Sequence, residues 1–546
     1  MTRKASSGLL NSLYNPAEFT LTFELVPTRG GKSKEHTRAL DLSRQLVEDG
    51  RLKAVSITEN AGGHSALSPE VLGNEIRAMG LEVIVHFSCK DKNRNQMESI
   101  LFAWDREGLN NLLVITGDYP KAGYRGHPKP VFDLCSVQAL DLVSRLNRGI
   151  FGDKQTRSRT CSPRPTSFVS GVAVSPFKKF EAELMMQYYK LHRKIIAGAD
   201  YVITQVGFDA RKFQEVLVYL RKNGLDIPVM GNVFIPNRAV TELMYRGEVP
   251  GCVIPEKLYS IIQQEAKSPD KGLKARLVRA AKLLSILKGL GFSGAHLGGP
   301  GLTFADLDFV FSRAEEYDAD WQSLIPEFAY WYPDGCYLFE KDVDTGLNTS
   351  SPKACGKRAF AVNFSYESSK FIHDTLFEKH GMMCKPMKNF CLQMEEKGLG
   401  QALNRVEHIS KFLLFGCRNC GDCTLADLAY LCPQSGCAKY LLNGPCGGSR
   451  EGWCEVYPGK KRCHFVRVYE RLATRNQEGS MAQGFVPPRD WSLNNSSSWI
   501  NFFSGNVKRI GINKKNLITT KLQLMFSPSF PRRSVIPAQA GIQANS

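Results

Sequence analysis

The chain contains no apolar run long enough to cross a bilayer. Its opening, "MTRKASSGLLNSLYNPAEF", has basic residues but no continuous apolar stretch behind them. Neither a membrane span nor a secretory leader is expected, and the compartment that follows is the cytoplasm. Familiar catalytic signatures are missing too: there is no H-E-x-x-H, no G-x-S-x-G elbow, no Walker loop, and no G-x-G-x-x-G after the first strand-like run. Acid is missing after residue 500, where Lys508, Arg509, Lys514, Lys515, Lys521, Arg532 and Arg533 stand without one Asp or Glu. Cysteine is scarce over the first three hundred residues and then crowds into "GCRNCGDCTLADLAYLCPQSGC" at 416–437.

The acid-free tail bears on the net charge of +18. A second basic group, Lys154, Arg157, Arg159 and Arg164, lies in "GDKQTRSRTCSPRPTS", which reads as a surface loop. A solvated tail and a loop account for much of the excess, so it is not the footprint of a nucleic-acid partner, and none is expected. The 546 residues, 43% hydrophobic and 23% charged, fit a soluble globular protein of two or three domains. In the cytoplasm, sixteen cysteines point to thiols or metal ligands rather than disulfides.

From residue 19 to about 317, β-rich runs alternate with amphipathic stretches. The strand candidates are "FTLTFELVP", "LKAVSITEN", "EVIVHFSC", "NLLVITGD", "FVSGVAVSP", "DYVITQVGF", "IPVMGNVFI" and "FSGAHLGG". Between two of them, Phe180, Leu184, Tyr188, Leu191 and Ile195 recur near the helical period. Eight strands alternating with helices predict an α/β fold, a (β/α)8 TIM barrel, over residues 15–335. Residues 336–380 read as a linker and 381–475 as a small cysteine-rich metal-binding domain. Residues 476–546 read as a disordered basic tail.

In such a barrel the chemistry sits at the C-terminal strand ends. Strand one carries Glu24 there, strand two Thr58, Glu59 and Asn60, strand three His86, strand four Gly117 and Asp118, strand six Gln205. Each has a bland reading alone: Glu24 could pair with Arg29, and Asp118 could cap a turn. Convergence on one mouth makes an active site the better reading. Two carboxylates from different strands can be driven to different pKa values, and Gly63 and Gly117 allow close approach of a flat or phosphorylated ligand. Arg193 and Lys194, near a helix end, could meet a phosphate or form a solvated face. The residues alone specify an acid–base or cofactor enzyme on a barrel.

The motifs "LTFELVPTRGG", "VSITENAGGHS", "VHFSCKD", "VITGDYPKAGYRGHPKP", "LHRKIIAGADYVITQVGFD" and "IPVMGNVFIPN" resemble, in order, those of the methylenetetrahydrofolate reductases. The resemblance implies reduction of 5,10-methylenetetrahydrofolate to 5-methyltetrahydrofolate by a flavin, FAD or alternatively FMN, with a folate substrate and NAD(P)H or an electron-donating redox protein as partner. It implies that Glu24 is the general acid, held protonated near neutral pH, that protonates folate N10. It implies that Asp118 stabilises developing positive charge, that Gln205 reads the pterin, and that Thr58, His86, Gly117, Asp118, Arg193 and Lys194 hold the flavin. A homo-oligomer is expected. Two departures stand out: Gln187 and Lys190 replace the acid and amide residues that precede the Arg-Lys pair, and "GAHLGGPG" on strand eight lacks an arginine found in some NADH-using members.

Eight cysteines, Cys417, Cys420, Cys423, Cys432, Cys437, Cys446, Cys454 and Cys463, fall within forty-seven residues and could supply two four-thiolate sites. The run C-x2-C-x2-C favours an iron–sulfur cluster, with structural zinc as the alternative. "CGDCTLADLAYLCPQSGCAKYLLNGPCGGSREGWCEV" resembles the cysteine-rich C-terminal domain found with some bacterial methylenetetrahydrofolate reductases, which implies electron entry through a cluster. Two other readings compete. A zinc-thiolate methyltransferase would want its cysteines at strand ends, and a zinc ribbon would make the module an assembly or nucleic-acid element.

Overall fold

The computed structural model describes residues 7–151, 164–353 and 363–507. Lys154, Arg157 and Arg159 of the basic loop, and the tail from 508 onward, lie outside them. All eight strand candidates form strands: β1 Thr20–Leu25, β2 Leu52–Ile57, β3 Glu82–Ser88, β4 Asn111–Ile115, β5 Val169–Val174, β6 Tyr201–Thr204, β7 Val229–Phe234 and β8 Gly294–Gly298. Each pairs in parallel with the next, and β8 closes on β1 with Thr20 opposite Gly294 and Phe23 opposite Leu297.

Alternation along the strands sorts the inward positions by height. Near the bottom, Ala54, Ile84, Leu113, Val169, Tyr201 and Met230 form one buried apolar cluster, closed by Leu9 and Leu13 of the helix Gly8–Tyr14. Two residues further along, the same parity carries Ser56, His86 and Asn232 on β2, β3 and β7, and Ile115, Gly171 and Ile203 on β4, β5 and β6. Glu24 and His296 keep the polar side of the pattern on β1 and β8. The barrel is therefore plugged with hydrocarbon below, and its inward polar side chains gather above.

The region expected to be a linker is largely structured. A hairpin of β9 (Phe339–Lys341) and β10 (Asn348–Pro352) packs on the helix Ala210–Lys222, where Arg211 donates to Asn348 Oδ1 (2.9 Å) and Phe339 O (2.7 Å). Beyond it, the helix Phe364–Leu376 puts Tyr366 into the core of the C-terminal domain. Its polar, turn-rich sequence hid this, because the hairpin is held by side-chain bonds rather than an apolar stripe.

The tail expectation is corrected as well. Residues 477–507 are folded onto the rest of the molecule. Val486 exchanges bonds with Asn443 (2.8 Å each way), Trp491 Nε1 donates to Asp133 (2.9 Å), and Met481, Val486 and Ile500 are buried. The segment has little helical periodicity over most of its length, and particular polar groups such as Trp491 Nε1 and the Val486 backbone hold it.

The C-terminal domain is not a separate bead. One cluster joins Val137, Ala182, Met186 and Tyr189 of the barrel helices Ser136–Asn147 and Glu181–Ile196 to Leu428, Leu441, Phe465, Val468 and Met481. None of the fourteen described cysteines forms a disulfide. No helix among the described residues is long and apolar enough to cross a membrane.

A buried pair anchors the hairpin side. Lys212 and Glu215, both fully buried, meet at 2.5 Å, and Glu215 also accepts from Leu338 N at 2.7 Å. Lys212→Met strands the carboxylate, so a loss of about 3–5 kcal/mol is expected in urea unfolding. The double variant Lys212→Met/Glu215→Leu should recover much of that loss.

Candidate active site

The barrel mouth opens into a cavity of about 490 Å³, within the range of small-molecule sites. Glu24, Thr58, His86, Gly117, Asp118, Lys194 and Gln205 all line it. Arg193 does not: its Nη2 donates to Gln483 O (2.9 Å) in the folded C-terminal segment, and its Nε and Nη1 are buried without a partner. Burial pushes the guanidinium down to about 10.

Loops β2 and β4 are fused by two glycines in the left-handed region. A Cβ on Gly63 (φ +82°) would lie 2.2 Å from Tyr119 O, and one on Gly117 (φ +84°) would lie 2.1 Å from Ser88 Oγ. The amide of Gly62 donates to Asp118 Oδ2 at 2.8 Å, which fixes that carboxylate over the cavity. Glu59 also lines the cavity, with its carboxylate accepting from Ser88 N (2.8 Å) and pairing with Lys92. His86 shares a 2.9 Å bond with Ser56 and lies deep, where burial pushes its pKa down to about 4.

Glu24 faces His296 Nε2 at 3.9 Å, with no pairing to Arg29, and its side chain keeps 28% exposure. Burial pushes its carboxyl up, while the nearby His296 and the charges that His86 and His296 carry when protonated draw it down, for a net shift below the usual range. His296 is itself oriented by Thr22, Oγ1 to Nδ1 at 2.8 Å. It was missed in the sequence, although a histidine at the centre of the strand-eight run "GAHLGG" was the available signal.

Several buried polar atoms around the cavity have no partner: Thr58 Oγ1, Ser175 Oγ, Gln187 Nε2, Asn232 Oδ1 and His296 Nε2. Such atoms are costly unless a ligand satisfies them, and donors and acceptors spread around a flat space fit the flavin that the resemblance implies. Gln205 Oε1 is bonded to Val206 N (2.9 Å), leaving its amide nitrogen for a ligand.

The cavity's far wall comes from the cysteine-rich domain, through Lys439, Pro445, Cys446, Gly447, Gly448 and Glu455. The loop "NGPCGGS" (443–449) sits on the barrel helix that carries Gln187 and Lys190. Lys190 Nζ donates to Pro445 O (2.8 Å), and a Cβ on Gly444 would meet the Lys190 side chain at 2.8 Å. Lys178 donates to Gly447 O and Ser449 O.

The eight cysteines fall into two groups. Cys417, Cys420, Cys423 and Cys432 line a cavity of their own with Lys411 and Arg489. Cys437, Cys446, Cys454 and Cys463 lie within electrostatic reach of one another, and backbone N–H groups reach their sulfurs: Lys439 and Leu441 to Cys437, Gly448 to Cys446, Phe465 and Val466 to Cys463. Burial holds Cys420 at about 11 and Cys446 at about 12. Among the described residues no three His, Cys, Asp or Glu side chains are gathered as a bound metal ion would need. The fit to a metal therefore rests on donor chemistry: two all-sulfur sets, with amides or cations aimed at them.

Residues 9–297 match the family model described as methylenetetrahydrofolate reductase, and residues 397–492 the one described as methylene-tetrahydrofolate reductase C terminal. Methylenetetrahydrofolate reductase 2 of Saccharomyces cerevisiae is 25% identical over 227 residues, 40% of this chain and 34% of that protein. 5,10-Methylenetetrahydrofolate reductase of Pectobacterium carotovorum is 26% identical over 278 residues, 50% of this chain and 84% of that protein. The chain thus spans about a third of the length of the yeast relative and most of the bacterial one.

The buried histidines set an acid limit on stability. His86 and His192, both pushed down to about 4 by burial, bind protons more weakly folded than unfolded. Their contribution is full above about pH 6.5 and is lost as pH falls through 4, on the order of 3 kcal/mol for each. Urea midpoints should drop steeply between pH 6.5 and 4.5, and the drop should shrink in His192→Gln.

Proposed function

Because this chain belongs to the methylenetetrahydrofolate reductase family, an oxidoreductase family, we propose that it reduces 5,10-methylenetetrahydrofolate to 5-methyltetrahydrofolate with a flavin bound in the barrel mouth. One observation carries the reading: Glu24, Asp118 and Gln205, from three separate strands, line a single cavity with Thr58, His86, Gly117 and Lys194.

When bound, the flavin supplies the hydride to the one-carbon bridge. The chain's residues bind, orient and move the proton. Thr58 Oγ1, Ser175 Oγ and Gln187 Nε2 offer their free hydrogen-bonding capacity to the cofactor, and Lys194, whose Nζ donates to Ala173 O at 2.6 Å and whose pKa burial pushes well down, offers its remaining N–H donors. Gln205 holds the pterin edge through its amide. Asp118, fixed by Gly62, sets its carboxyl group beside the cation that develops as the folate ring opens.

Glu24 gives the proton to folate N10. A substrate that covers its exposed face removes the water that favours the carboxylate, so the burial already acting on this group pushes its pKa upward in the complex. His296, tied to Thr22, stands beside Glu24 to return the proton.

Electron supply is proposed to run through the cysteine-rich domain, with NAD(P)H as the alternative donor. The group that includes Cys446 shares the cavity wall, and the group that includes Cys420 lies apart from it. Iron–sulfur clusters at both would form a path from a partner protein to the cofactor. The same position of Cys446 is what favours a zinc-thiolate methyltransferase, which would have zinc in stoichiometric amount and no flavin. An absorption spectrum of protein purified without oxygen, with iron, zinc and sulfide assays, separates the two.

Glu24→Gln should keep flavin binding and its reduction while lowering folate turnover at least about a hundredfold. Unchanged turnover would mean that the acid lies elsewhere. Cys420→Ser and Cys446→Ser should each lose metal, and should lose more activity with a protein electron donor than with a small artificial reductant. Equal losses in both assays would indicate a structural metal.

A further inference from the structure

Lys439 belongs to the cysteine-rich domain, yet its side chain ends in the barrel. Its Nζ donates to Gly117 O at 2.7 Å and pairs with Glu455, and its ammonium lies 5.6 Å from the centre of the Phe132 ring. Lysine and glutamate side chains are both nearly fully buried, and both line the barrel-mouth cavity. A buried ammonium is costly unless it is paired and hydrogen-bonded, and here Gly117 O and Glu455 supply both.

The carbonyl it holds is a sensitive one. Gly117 sits in a left-handed turn that no side chain could adopt without meeting Ser88, and the next residue is Asp118. Gly62 N holds the Asp118 carboxylate, and Ser88 backs the glycine. Lys439 is a further hold on this turn, and it comes from outside the barrel. Its charge also acts on Asp118 and on Cys446, so one cation faces both the expected cofactor and the nearer cysteine group.

We propose that Lys439 is a positioning residue of the barrel site, supplied by the C-terminal domain, which fixes the Gly117–Asp118 turn and sets the reduction potential of the flavin bound against it. The inference rests on the flavin reading above. A fixed positive charge beside a cofactor favours its electron-rich form, so Lys439 raises the potential, while Glu455 moderates that effect by offsetting the charge. The domain that brings electrons would thereby also tune the group that receives them.

The test is a redox titration of flavin-loaded full-length protein, wild type against Lys439→Met/Glu455→Gln and Glu455→Gln alone. The double variant removes both buried charges together, which avoids stranding Glu455 as Lys439→Met alone would. It should lose about tenfold of its preference for reduced over oxidised flavin, a fall of about 30 mV for a two-electron couple. Glu455→Gln leaves Lys439 on Gly117 O without its counter-charge and should shift the potential upward. Should the double variant fail to fold, Lys439→Gln, whose amide can still donate to Gly117 O, takes its place: a potential below wild type is expected, and one equal to or above it overturns the inference. Potentials equal to wild type in the folded variants would overturn the inference while leaving the flavin reading intact. Wild-type protein that takes up neither FMN nor FAD would overturn both.

Discussion

Lys178, Lys190 and Lys439 end in the seam between the barrel and the cysteine-rich domain, each almost wholly buried and each bonded to backbone carbonyls there. A buried ammonium that loses its partners strands an uncompensated charge, at a cost of several kcal/mol. Each lysine takes a backbone carbonyl from across the seam, and Lys439 adds an ion pair with Glu455 of its own domain. Lys178 and Lys190 come from the barrel and take carbonyls of the 443–449 loop, while Lys439 comes from the loop's side and takes a carbonyl of the barrel. The exchange locks the two parts in one register and makes the loop a wall of the cavity.

The register explains the use made of Gln187 and Lys190. They lie on the face of the helix Glu181–Ile196 that the loop covers. Gly444 packs against the Lys190 stem, and Gly447 approaches Gln187. A helix face that must receive another backbone takes a long cation able to reach a carbonyl, and the loop takes glycines that leave room for it. The apolar cluster of Val137, Met186, Tyr189, Leu441 and Phe465 then buries the remainder of the contact.

Each sulfur group has a lysine beside it: Lys439, paired with Glu455, faces Cys446 in the seam, and Lys411 faces Cys417 and Cys423 in the separate cavity. Four thiolates on a metal carry a large negative charge, and cations with amide donors are what offset it in a dry environment. Burial pushes the Cys420 and Cys446 thiols up, so the metal binding proposed for them would release protons.

Much of this was legible in one dimension. Apolar runs of strand length, separated by helical periods, can bury their side chains only by closing a parallel sheet under helices, so the eight strands could be read directly. Glu24, His86 and Gln205 were legible because inward parity and height on a barrel follow from counting along a strand. Arg193 was misplaced and Lys439 and Glu455 went unseen, because a buried cation is recognisable only with its distant partner in view: Gln483 in one case, Gly117 in the other. His296 shows the same limit, since its meaning depends on Thr22 and Glu24 across the β8–β1 closure. Local period and spacing are properties of the chain, so the sequence by itself determined the barrel, its polar mouth and the sulfur-rich module. Which long side chain satisfies which remote carbonyl is a property of packing, so only the tertiary structure decided that the module forms part of the site.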